Sequence, residues 1–158
     1  MVVEHEYPLP PVELFAVLTD NDYLAARHQR FGGVGTPEVI RDGDRVQLRI
    51  TRQLPMDRIP GPAQRFVGDG RLVQVDDWDT GDVPLIGTWH AEVDHAPIDL
   101  RGANQIEPIA TGSRYSIGVE VKVRVPVIGR QFEGQVRGFL DSLIGKEQAY
   151  LAEWISQQ

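Results

Sequence analysis

Through the middle of the chain, apolar and polar positions alternate one by one. Near the start, and from about Gly129 onward, they change to the three-and-four spacing of a helix. Val3, His5 and Tyr7 alternate with Glu4 and Glu6 and predict a short first strand. Pro10 and Pro11 suit the first turn of a helix, where a missing N–H is not needed, and Leu14, Phe15 and Leu18 share one face of it. Asp20 and Asn21 can cap a second short helix through Tyr23, Leu24 and Arg27, which Gly32 and Gly33 stop.

From Thr36 to Val125 the pattern is strand and turn. Asp42-Gly43-Asp44, Gly68-Asp69-Gly70, Thr80-Gly81-Asp82 and Thr111-Gly112-Ser113 supply hairpin turns, because glycine adopts positive φ at little cost. Between them Val46, Leu48 and Ile50 alternate with polar residues, as do Trp89, Ala91 and Val93. Tyr115, Ile117, Val119, Val121 and Val123 form the cleanest alternation and predict one continuous strand. One buried and one wet face mark an antiparallel sheet. The stretch from Leu54 to Gly70, broken by prolines and glycines, predicts an irregular segment, either a binding loop or a plain connector.

Pro126 ends the last strand, and a helix of some 27 residues follows, roughly 40 Å at 1.5 Å per residue. Phe132, Val136, Phe139, Leu140, Leu143, Tyr150, Leu151 and Trp154 fall on one side of it, and Gly134, Gly138 and Gly145 on the other. Three mid-helix glycines cost roughly 3 kcal/mol against alanine, so packing of the apolar side must hold this helix. The Gly134–Gly138 spacing also matches a helix-dimer face, which would give a weak homodimer.

These elements predict a single α+β domain over residues 1–158. Composition narrows its context. The absence of cysteine excludes disulfides, thiolate zinc sites, iron–sulfur centres and a cysteine nucleophile, and fits a reducing, cytoplasmic setting. The first residues have neither the basic region nor the apolar stretch of a signal peptide, and no apolar run is long enough for a membrane span. A net charge of −7 argues against nucleic acid, whose phosphates it would repel. All but two of the 16 basic residues are arginine, scattered along the chain and read as solvated salt-bridge partners.

The order of strand, two short helices, a run of about six strands and one long C-terminal helix is similar to the START-like superfamily (Bet-v-1-like, polyketide-cyclase-like, SRPBCC). The resemblance is most specific from Ala96 to Glu133: Ala96-Pro97-Ile98, Arg101-Gly102, Ser113-Arg114-Tyr115, the run Val119 to Gly129, and Phe132-Glu133. Those segments resemble a group of uncharacterised actinobacterial domains of unknown function within that superfamily. The resemblance implies a helix-grip fold, in which a curved antiparallel sheet of about seven strands holds a cavity against the long helix. It implies a small hydrophobic ligand, lipid or polyketide-like, and supplies no catalytic residues.

Carried onto this sequence, the residues expected to line that cavity are Trp89, Tyr115, Ile117, Phe132, Val136, Phe139 and Leu143, with Trp78 beside them. The same aromatics could instead fill a dry core. Asn104 and Arg52 share apolar registers and would orient a head group. A bulge around Asn104, or an Arg52 reaching for water at a strand end, would explain them equally.

No other constellation commits the chain to chemistry. His90, Glu92 and Asp94, with His95, lie on the face opposite Trp89 and read as solvated rather than as a metal site. Asp76-Asp77-Trp78-Asp79 fails the calcium-loop pattern, with Trp78 and Thr80 at ligand positions, and reads as a solvated turn. Gly32-Gly33-Val34-Gly35 precedes a strand rather than a helix, the reverse of a phosphate loop. Neither a nucleophile elbow nor a His-Glu-x-x-His motif occurs. No catalytic residue, metal or cofactor is predicted. Three functions stand: a carrier or sensor of an apolar molecule, a cyclase- or hydratase-type enzyme, and an interaction module with a closed core.

Overall fold

The computed structural model describes residues 1–158. Strand β1 (Val2–Tyr7) leads into helices α1 (Pro11–Leu18) and α2 (Asn21–Arg30). Pro11 begins α1, and the Asp20 carboxylate accepts the Tyr23 N–H at 3.0 Å to cap α2. Strands β2 (Glu38–Asp42) and β3 (Arg45–Gln53) follow. The irregular segment then forms a 3-10 turn at Met56–Arg58 and the one-turn helix α3 (Gly61–Gln64). Strands β4 (Arg71–Asp79), β5 (Leu85–Val93), β6 (Ile98–Ile109), β7 (Gly112–Gly118) and β8 (Glu120–Val123) precede α4 (Gly129–Ser156).

All pairings are antiparallel, in the order β1-β7-β6-β5-β4-β3-β2, with β8 continuing β7 alongside β6. The sheet is a path of seven strands with β8 as an eighth, in keeping with about seven, and the run predicted as one strand breaks at Val119 into β7 and β8. The break has a tertiary cause. Trp89 stands opposite Gly102, and its indole Nε1 donates across that glycine to the Gly118 carbonyl at 2.9 Å. A Cβ at Gly102 would run into the Gly118 carbonyl oxygen and the indole nitrogen. Gly102→Ala should therefore destabilise the fold by about 1–3 kcal/mol, as overpacking does. Chemical unfolding measures the loss, and a shifted tryptophan emission would report the displaced indole.

The second correction concerns Asp76-Asp77-Trp78-Asp79. These residues are the end of β4, not a turn: Asp76 pairs with Leu48 and Trp89, and Trp78 with Val46 and Gly87. Asp76 and Trp78 are buried, so Leu72, Gln74, Asp76 and Trp78 form an inward register that carries two polar groups.

Helix α4 lies across the concave face and buries Phe132, Leu140, Ile144, Gln148 and Leu151. Val136, Phe139, Leu143, Tyr150 and Trp154 are only half-buried along its flanks. Two apolar clusters result. One joins Phe132, Leu140 and Ile144 to Leu72, Trp89 and Leu100, and the other joins Leu151 to Tyr7, Leu14, Trp78 and Ile106. Between them the helix presents Glu147 and Gln148. Gly134, Gly138 and Gly145 face open space, with nothing within 4 Å of a built Cβ. Gly138→Ala should accordingly stabilise the protein by roughly 0.8–1.0 kcal/mol, the helix-propensity difference, measured as a rise in denaturation midpoint. Despite its 28 residues, α4 is not apolar enough to cross a membrane, nor is any other helix.

Candidate functional site

The inner face of strands β3 to β6 is built from rows of paired residues, and each row carries one polar side chain. Asn104 lies in the row of Val46 and Trp78, Asp76 in that of Leu48 and Trp89, Gln74 in that of Ile50 and Ala91, and Arg52 in that of Leu72 and Val93. Asn104 sits in regular pairing, opposite Gly87 and Ile117, so no bulge explains it. Arg52 does not reach for water either: its side chain is 7% exposed.

Two cavities of about 80 Å³ each open between this face and α4. The inner one is lined by Trp78, Trp89, Asn104, Tyr115, Ile117, Leu143 and Arg52 among the predicted residues. Phe132, Val136 and Phe139 line the outer one, roofed by Ile59, Pro60 and Ala63 of the irregular segment. Leu72, Leu100 and Leu140 border both cavities and partition them. The predicted residues thus gather along one seam, divided between a polar-ended chamber and an apolar one.

The charged centre of the inner chamber is Glu147. Its Oε1 accepts from Arg52 Nη1 at 2.6 Å and its Oε2 from Arg27 Nη2 at 2.9 Å, and all three side chains are largely buried. Burial pushes the Glu147 carboxyl up, but the two guanidinium charges and their hydrogen bonds outweigh it and hold it at about 2. Burial likewise disfavours charge on Arg27, yet Glu147 holds its pKa above the ordinary value. Arg27 is therefore not the solvated partner expected of the arginines from the sequence.

Asp76 is different. Its Oδ1 accepts from Gln74 Nε2 at 2.9 Å, and no hydrogen bond joins it to either arginine. Burial raises its carboxyl to about 6, against the lowering effect of Gln74 and Arg27. Tyr115, raised first by burial and then by the Asp76 charge, and Tyr23, raised to about 12 chiefly by burial, present neutral hydroxyls to the same space. The Asn104 Oδ1 is buried with no hydrogen-bond partner.

Arg27, Asp76, Glu147, Tyr23, Gln74 and Gln148 were not predicted site residues. Their signal was positional. Glu147 and Gln148 interrupt the stripe through Leu140, Ile144 and Leu151, and Asp76 interrupts the inward register of β4. The wet face is as expected: His90 is half exposed, its Nε2 2.9 Å from Asp99 Oδ1.

A family model described as a protein of unknown function (DUF2505) matches residues 2–155. The chain belongs to this family. No curated protein matches the chain. Solved structures share the fold. TTHA0849 from Thermus thermophilus is 16% identical with a TM-score of 0.64, over 97% of this chain and 94% of that one. An aromatase/cyclase from Streptomyces sp. R1128 is 11% identical with a TM-score of 0.59, over 97% and 92%. A START superfamily protein from Mycobacterium smegmatis is 12% identical with a TM-score of 0.56, over 98% and 97%. The helix-grip fold of the START/Bet v 1-like superfamily is therefore the fold of this member of the family.

Proposed function

We propose that this family member binds a small amphipathic molecule between the sheet and α4. Its apolar body would lie along Trp89, Leu100 and Leu140, and its polar end would meet the charged cluster. One observation carries the reading: Asn104, which lines the inner cavity, is buried with an amide oxygen that no protein group partners. A buried acceptor left unmade costs about 1–3 kcal/mol, which a folding core avoids and a ligand donor would recover. A lipid or polyketide-like molecule agrees with the apolar second chamber, which would take a longer body if Leu140 turned aside.

A second reading, a cyclase- or hydratase-type enzyme, is favoured by Asp76. A carboxyl near 6 beside the Tyr115 hydroxyl can exchange a proton near neutral pH, and one fold neighbour is an aromatase/cyclase.

Native mass spectrometry before and after solvent extraction tests the binding reading, followed by titration of the extracted protein with octanol. Trp78 and Trp89 line the cavity, so a saturable change in tryptophan emission is expected. No mass lost on extraction, together with no saturable change in emission, would sink it.

A further inference from the structure

Resting on that reading, we propose that the ligand is an amphipathic acid. Its carboxylate docks on the guanidinium N–H groups of Arg27 and Arg52 that Glu147 leaves free. Each guanidinium carries five N–H donors in a planar fork. In the structure each uses one on Glu147 and gives none to any other protein group. The side chains are only 14% and 7% exposed, and the donors that Glu147 leaves free have no protein partner. Both residues line the inner cavity. A single carboxylate thus neutralises one of two buried cations, and a second carboxylate of matching planar geometry completes the set.

The only other acid facing this space is Asp76, which donors other than the arginines hold in place. The groups that face it are Arg27 and Tyr23 from α2, Arg52 from β3, Glu147 from α4, Tyr115 from β7, and Gln74 from its own strand. When Asp76 is ionised the four charges cancel, and a ligand anion would leave the cluster one negative charge in excess. When Asp76 takes a proton the cluster holds one uncompensated positive charge, and the anion neutralises it. Binding of an acid is therefore coupled to proton uptake by Asp76. A neutral alcohol would bind without that coupling, and an amine would show it reversed.

Octanoate, octanol and octylamine share one apolar body and separate these cases by calorimetric titration. Octanoate is expected to bind most tightly at pH 6. It should weaken by roughly fiftyfold by pH 8, as one-proton linkage to a group near 6 requires. Octanol should show no such trend, and octylamine should bind weakest at pH 6. Asp76→Asn, which mimics the protonated carboxyl without removing a side chain, should abolish the octanoate trend. It should also tighten octanoate binding at pH 8 by up to roughly a hundredfold. Octanol binding as tightly as octanoate at pH 6, or octylamine binding tightest, overturns the head-group assignment and leaves the cavity reading standing. Octanoate binding that Asp76→Asn weakens overturns it as well. Failure of all three probes overturns both.

Discussion

Glu147→Ala should destabilise the protein by about 3–5 kcal/mol, the range for breaking a buried ion pair. Two buried guanidinium groups would then face each other across a cavity with no carboxylate between them. For a chain of this size that is a fall in Tm of roughly 6–20 °C. The loss reflects charges stranded by the substitution, not the net worth of the cluster. Replacing all three members together, Arg27→Leu, Arg52→Met and Glu147→Leu, should leave stability unchanged or higher, since desolvation of the ions offsets their attraction. Thermal unfolding of the single and triple variants separates the two. If the triple variant is as damaged as the single, the cluster is needed for folding rather than kept for binding. The pH dependence has a definite sign. Glu147 is held at about 2, below its ordinary 4.5, so its contribution is present above pH 4.5 and lost as pH falls toward 2.

Asp76 should act in the opposite direction. Its carboxyl is raised from 3.8 to about 6, so between those values the folded chain binds a proton that the unfolded chain has released. Stability therefore falls as pH rises from about 4 through 6, by about 3 kcal/mol in all, and the deficit persists at neutral pH. Asp76→Asn should remove that deficit. It should stabilise the protein by up to about 3 kcal/mol at pH 8 and leave it nearly unchanged at pH 4. Denaturant unfolding at the two pH values checks this, and equal effects at both would refute it. A residue whose replacement stabilises the fold while altering octanoate binding would be one maintained for the ligand.

Much of the architecture was legible because it depends on local periodicity. The alternation at Val46–Ile50 and Trp89–Val93 set strand faces correctly, since side chains on a strand point alternately to either side. The Asp/Gly turns and the cap at Asp20 are equally local. A glycine at 118 marks a place where a strand can bend, but the break at Val119 and its cause were not legible, because the indole that takes the Gly118 carbonyl comes from Trp89 on β5, with β6 between them. Asp76 was misread for a related reason. Four acidic residues in seven positions resemble a turn until the pairing of β4 with β3 and β5 is known.

The candidate site divides the same way. Its apolar lining followed from which residues share a face, and those residues do collect along the seam between sheet and α4. Its polar end did not follow. Arg27, Arg52, Asp76 and Glu147 lie on α2, β3, β4 and α4, and in the sequence each looks like any solvated charge. By itself the sequence determined the element order, the strand faces and the long helix, because propensity and period act over a few residues. Only the tertiary structure decided that the cavity is split in two and that its inner half is charged. Those outcomes depend on sheet curvature and on which distant side chains are withdrawn from water together, and a charge acquires its energetic meaning only when its partners and its burial are known.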